Sequence, residues 1–211
     1  MKKLVGDSPV RLCIPSFDGV HGEVYIYKTN HHPDYKMDFK EKMLDVALAT
    51  SAAPTFFRPH KNTGYRLVDG GVWANNPIMI GVVDALACNK IPREKIIVLS
   101  IGCGSTAFSV SWIRALFSGI FFWTDVMVAA MNLQSENAIG QAGLLIGRDN
   151  IIRLEPDIGK KIVKLDNFKL AKILLPAAAK SSLEENGEMI KERFFQEKAA
   201  PYTKYFPEGN A

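Results

Sequence analysis

Short apolar runs and helically spaced stretches alternate along the first half of the chain. Arg11 to Pro15 (RLCIP) is an apolar run closed by proline, and Glu23 to Lys28 (EVYIYK) alternates and is rich in β formers. Both read as strands, and the turn formers of 16–22 let them pair as a hairpin. Polar residues 29–38, with Pro33, read as a surface loop. Met43, Leu44, Ala47 and Leu48 fall at helical intervals, so a helix is expected from about Asp38 to Ser51, with Asp38 and Glu41 at capping-box spacing and Pro54 ending it. Tyr65 to Asp69 (YRLVD) is the next strand. Gly70-Gly71 makes a turn where glycine tolerates angles other residues resist. Asn76 is then the expected N-cap and Pro77 the first residue of a helix running to about Cys88.

The second half changes character. Ile96 to Ile101 (IIVLSI) is nearly unbroken and reads as a strand buried on both faces of a parallel sheet. Helical spacing covers Ser111 to about Gly147, and Ile151 to Leu154 reads as a late strand. Two closing helices are expected, Asp166 to about Lys180 and Ser182 to about Gln196, the second opened by the Ser182/Glu185 capping box. Residues 201–211, rich in turn formers, read as a mobile end. Strand and helix in this order make an α/β domain.

Composition narrows the partners. The net charge of +4 over 211 residues is mild, and no basic run stands out, so no nucleic acid polymer is called for. Cys13, Cys88 and Cys103 are odd in number and lack CxxC spacing, which points to reduced thiols rather than a disulfide framework or zinc site. His31 and His32 are adjacent, and adjacent side chains converge poorly on one ion, so no metal and no cofactor is assigned. Residues 1–9 lack the apolar core of a signal peptide, and the longest apolar stretch, 115–124, is about half of the roughly 20 residues a spanning helix needs. A cytoplasmic protein, at most peripheral at a membrane, is the expectation. The aromatic cluster Trp112, Phe117, Phe121, Phe122 and Trp123 serves equally a lipid-facing surface, a core or a subunit contact.

The residue with chemical interest is Asp69, at a strand tip beside a glycine turn. It can cap a helix, or it can act as a base toward a serine hydroxyl. A metal role finds no matching cluster of Asp, Glu and His nearby in sequence. Spacing alone slightly favours the cap.

A wider pattern bears on that choice. Ala49-Thr50-Ser51-Ala52-Ala53-Pro54-Thr55-Phe56-Phe57, Val68-Asp69-Gly70-Gly71-Val72, Asn75-Asn76-Pro77 and Val98-Leu99-Ser100-Ile101-Gly102-Cys103-Gly104 occur in that order. The set resembles the C-terminal half of the catalytic domain of the patatin-like phospholipases, over roughly residues 10–155. The resemblance implies a three-layer α/β/α fold, present only in part, with residues 1–155 as the half-domain and 156–211 as a helical extension packing on it. It implies a serine–aspartate dyad cleaving acyl esters of membrane phospholipid or another lipid. Asp69 would be the base, Gly70 and Gly71 the turn that aims it, and Asn75, Asn76 and Pro77 the start of the following helix. His21, His31, His32 and His60 then need no catalytic role.

The family's Gly-x-Ser-x-Gly elbow is not in this sequence. Ser8, in Gly6-Asp7-Ser8-Pro9-Val10, lacks the second glycine, and Ser51, Ser100 and Ser105 lack the flanking pair. The glycine-rich oxyanion loop is missing as well. Both belong upstream of Arg11 in the family. The expectation is part of an enzyme, inactive alone, that pairs with a complementing N-terminal half or with itself to cover an open sheet edge. A non-catalytic binding or regulatory protein on the same fold is the alternative. Some members of the family are antiviral effectors switched on by a cyclic nucleotide, and residues 28–35 and the helical C-terminal part are compatible with that subgroup.

Overall fold

In a computed structural model of the chain, residues 3–62, 64–104, 126–158, 163 and 167–206 are described. Trp112, Phe117, Phe121, Phe122, Trp123 and Ser105 lie outside them.

Strands β1 (Cys13–Asp18) and β2 (Glu23–Lys28) form the expected antiparallel hairpin, with Cys13 opposite Lys28 and Asp18 opposite Glu23. Helix α1 (Met43–Thr50) follows, then β3 (His60–Asn62) and β4 (Tyr65–Asp69). The four strands make one antiparallel sheet in the order β2-β1-β4-β3. The apolar side chains of the sheet meet α1, where Val5, Tyr27, Val46, Ala49 and Leu67 form a buried cluster. This is a hydrophobic core in the ordinary sense, built from the alternating positions of β2 and β4 and the inner stripe of α1.

After β4 the chain makes the short helix α2 (Gly71–Ala74) and then α3 (Ile78–Ala87). Strand β5 (Val98–Ile101) pairs in parallel with β6 (Ile151–Leu154), and the long α4 (Val126–Ile146) precedes β6. A second core joins these parts: Ile78 and Val82 of α3, Ile96, and Ala138, Ala142 and Ile146 of α4. Alanines at the α4 positions let the two helices approach closely. The architecture is a mixed α/β one with two sheets and two cores among the described residues. No helix among them is long and apolar enough to cross a membrane.

Several expectations are corrected. The helix predicted from Asp38 is split: residues Asp38–Lys40 form a 3-10 turn, and α1 starts at Met43. Asp38 does not cap; its carboxylate instead accepts from the Tyr25 hydroxyl (2.9 Å) and the Lys28 N–H (3.1 Å). Parallel pairing of β5 is as expected, but two-faced burial is not, because Ile101 is 68 % exposed. The two closing helices are one, α5 (Phe168–Phe194), which carries Pro176 inside it. Ser182 starts nothing; its carbonyl accepts from the Asn186 side chain within the continuous helix. Residues 29–31 are not a solvated loop, since Thr29, Asn30 and His31 are all buried. They are covered by the end of the chain. The Asn30 side chain donates to the Phe206 carbonyl (2.9 Å), Tyr205 N–H donates to the Asn30 carbonyl (2.9 Å), and Phe206 stacks on Phe39. Residues 202–206 make a strap rather than a mobile tail, and 207–211 lie outside the described residues.

Candidate active site

Asp69 ends β4 and is half-buried. Its backbone is tied on both sides. The N–H of Asp69 donates to the Ala52 carbonyl (3.1 Å), and the register sets Asp69 opposite Ser16 of β1. The fully buried Ser16 donates its hydroxyl to the Val68 carbonyl (2.7 Å), and its own carbonyl accepts from the Trp73 indole N–H (2.9 Å). The small run 49–54 therefore does what small residues allow: it brings the end of α1 against the backbone of the strand tip.

Gly70 is needed for space, not for dihedral freedom. Its φ of −65° and ψ of −20° suit any residue. Just beyond the last ladder pair it lies against Pro15, where a Cβ would overlap the Pro15 carbonyl and approach the Pro15 Cβ to 2.8 Å. That same carbonyl accepts the Thr50 hydroxyl (2.6 Å). A proline inside a strand that is not at the edge of its sheet also makes sense here. The β4 ladder stops at Ser16–Asp69, so Pro15 has no N–H to offer where none is asked for.

The Asp69 carboxylate accepts one hydrogen bond among the described residues, from the Gly71 N–H to Oδ1 (2.7 Å). This bond fixes the plane of the carboxylate and leaves Oδ2 available. Gly71 is close to it, since a Cβ there would lie 3.1 Å from Oδ1 and 3.3 Å from the Met131 methyl of α4.

The three residues after α2 tie the start of α3 to α4 and β5. Asn76 is buried, with its N–H and both side-chain polar atoms bonded. Its N–H donates to Gln134 Oε1 (3.2 Å), its Nδ2 to Ser100 Oγ (3.3 Å), and its Oδ1 accepts from the Ile78 N–H (3.1 Å). Capping by Asn76 is thus as expected, while the helix begins at Ile78, one residue later than the sequence suggests, with Pro77 before it. Asn75 is exposed and donates to the Met131 carbonyl (3.4 Å). Ser100 also accepts from Arg153 (2.8 Å), which pairs with Glu155. The glycine turn after β5 is structural: Gly104, at φ +91°, donates to Glu155 Oε1 (2.8 Å), so a carboxylate lies where a phosphate cradle would need open N–H groups.

Ser16, Thr50, Trp73, Gln134, Ser100 and Arg153 position the strand tip and the start of α3, and sequence reasoning assigned none of them. Thr50 and Ser100 lie inside stretches that carry the family resemblance, while the other four carry no such signal. The histidines sit apart from Asp69: His21 pairs with Asp18, His60 approaches Asp45 (3.5 Å), and His31 contacts Asp84 (2.8 Å).

Part of the chain is similar to known proteins. Residues 4–82, which include α1, β4 and Asp69, match the family model described as patatin-like phospholipase. This segment of the chain is similar to that family. A "cGAMP-activated phospholipase" of Escherichia coli (strain TW11681) is 37 % identical over 107 residues, covering 48 % of this chain and 30 % of that protein. One of the same name from Pseudomonas aeruginosa (strain BWHPSA011 / Pa011) is 26 % identical over 198 residues, covering 90 % of this chain and 56 % of that protein. "Patatin-like protein 1" of Arabidopsis thaliana is 30 % identical over 132 residues, covering 50 % of this chain and 31 % of that protein. The chain thus spans between 30 % and 56 % of the length of these relatives.

Proposed function

We propose that this chain supplies the base half of a patatin-like serine–aspartate dyad, with Asp69 taking the proton of a serine hydroxyl as the serine attacks a lipid acyl ester. The observation that carries the reading is the Asp69 carboxylate itself. One oxygen is anchored by the Gly71 N–H, and the other has no partner among the described residues. A base must be both aimed and unspent, and this one is. The serine proton passes to the free Asp69 oxygen as the serine oxygen bonds to the acyl carbon, and Asp69 returns it to the alkoxide oxygen as the ester C–O bond breaks, so the alcohol leaves and the acyl-serine forms.

Gly-x-Ser-x-Gly occurs nowhere in the 211 residues. The serine and the oxyanion donors then belong to a segment outside them, and this chain by itself is inactive. The substrate class is the acyl ester of a membrane phospholipid. A cyclic nucleotide of the cGAMP type is the proposed activator, because the Escherichia coli and Pseudomonas aeruginosa relatives carry that activation in their names. A role in antiviral defence and transient contact with a membrane surface follow from the same reading, with residues 156–211 as the accessory part.

The test uses the longer protein that contains this chain and the serine elbow. Release of fatty acid from phosphatidylcholine vesicles is measured with and without cGAMP. Asp69→Asn should lower the rate about 10²–10⁴-fold, the usual contribution of a general base. Full activity in that variant would overturn the dyad. The missing serine elbow also favours a second reading, a non-catalytic binding protein. Saturable cGAMP binding with no fatty acid released would select it.

A further inference from the structure

A second group of reactive side chains lies away from Asp69. Cys13 of β1, His31 just after β2 and Asp84 of α3 bring one ligand atom each to within 4.8 Å of one another. They are widely separated in sequence and meet only because α3 packs against the open end of the hairpin. The His31 side chain is fully buried and that of Asp84 nearly so. We propose that Cys13, His31 and Asp84 form a binding site for a zinc-like divalent ion, independent of the dyad.

The donor set decides the class of ion. One sulfur, one imidazole nitrogen and one carboxylate oxygen suit a borderline-soft tetrahedral ion, whereas magnesium and calcium ask for oxygen throughout. Metal–ligand bonds of about 2.0–2.3 Å place tetrahedral donors roughly 3.3–3.6 Å apart. From the present positions the Cys13 thiol swings inward and the 2.8 Å contact between His31 Nε2 and Asp84 Oδ2 opens slightly. Three protein ligands leave a fourth position for a small molecule.

The surroundings are those a metal site uses. A ligating imidazole holds its tautomer through its other nitrogen, and His31 Nδ1 lies 2.7 Å from Thr29 Oγ1. With the ion on Nε2, Nδ1–H donates to Thr29. With no ion, Nε2–H donates to Asp84. Asp84 is oriented in the same way, because Tyr35 donates to Oδ1 (2.9 Å) and Asn89 to Oδ2 (3.2 Å). Lys28, 3.6 Å from Oδ1 and partly exposed, can turn outward as the ion brings its charge. Coordination releases the Cys13 thiol proton to solvent, so the dication faces one thiolate and one carboxylate and the charges balance.

Cobalt(II) titration of the full 211-residue chain tests the site. The expected result is one ion per chain with a sulfur-to-cobalt charge-transfer band that Zn²⁺ abolishes. Cys13→Ser should remove the band and weaken binding at least about tenfold, while Cys88→Ser and Cys103→Ser keep both. No band in the parent chain, or a band that survives Cys13→Ser, would overturn the site. If Cys13→Ser fails to fold, alkylation of the parent chain followed by peptide mass spectrometry decides instead. Zn²⁺ should slow modification of Cys13 at least about tenfold and leave Cys103 unchanged, and equal rates with and without Zn²⁺ would refute the proposal.

Discussion

Asp69 and Asp84 show what two surroundings do to one side chain. Asp69 stands at a strand end, half-exposed, with a single hydrogen bond to its carboxylate among the described residues. Asp84 lies inside α3 and receives the His31 imidazole, the Tyr35 hydroxyl and the Asn89 amide, with Lys28 alongside. Burial alone would raise the Asp84 carboxyl, but the hydrogen bonds from His31 and Tyr35 outweigh it and hold the group well below the usual carboxylate range. The same neighbourhood works the other way on the nearby thiol. Burial first, and then the Asp84 charge, push Cys13 up to about 12. A carboxylate saturated with donors is spent on holding structure or an ion. A carboxylate with one aimed oxygen and one free is available for a proton.

The difference predicts opposite responses to mutation. Asp84→Ala leaves His31, Tyr35 and Lys28 facing an empty site and should cost about 3–5 kcal/mol in urea denaturation. Because its folded-state pKa is depressed, Asp84 contributes fully above about pH 5, and that contribution drains as pH falls below about 4. The parent chain should therefore lose stability steeply with acid, and the Asp84→Ala variant less so. A loss under about 1 kcal/mol would erase the contrast.

Gly70→Ala comes next. The new methyl group meets the Pro15 carbonyl, and β4 must shift away from β1 at its tip. A cost of about 1–3 kcal/mol is expected from overpacking, read as a lower urea midpoint. A neutral result would mean that the tip is not held against Pro15.

The smallest effect is Asp69→Asn. The amide oxygen still accepts from Gly71 N–H, so stability should change by less than about 1 kcal/mol, whereas the proposed dyad would lose its base. A loss above about 2 kcal/mol would make Asp69 a structural group like Asp84 and break the comparison.

Much of the fold was legible from local pattern. The alternation in EVYIYK and YRLVD marks β2 and β4 to the residue, because side-chain period and hydrogen-bond ladder are set within each strand. Asp69 at a strand tip was legible for the same reason. Helix continuity was not. Ser182 and Glu185 read as the capping box of a new helix, yet α5 runs through them as it runs through Pro176, because nothing in the local sequence there forbids a continuous helix. The role of Gly70 was misread as conformational because steric proximity to Pro15 has no trace in the local sequence.

By itself the sequence determined which residues are small, which alternate, and where an acid follows a strand and precedes two glycines. Those properties belong to neighbours along the chain. Only the tertiary structure decided how many hydrogen bonds each aspartate receives, that residues 202–206 close over Asn30 and Ser8, and that Cys13, His31 and Asp84 meet. Each of these depends on distances between residues far apart in the chain, which are set when β1 pairs with β4 and α3 packs beside them. The number of donors a buried acid receives is fixed by that packing, and with it whether the acid holds the structure or is free to act.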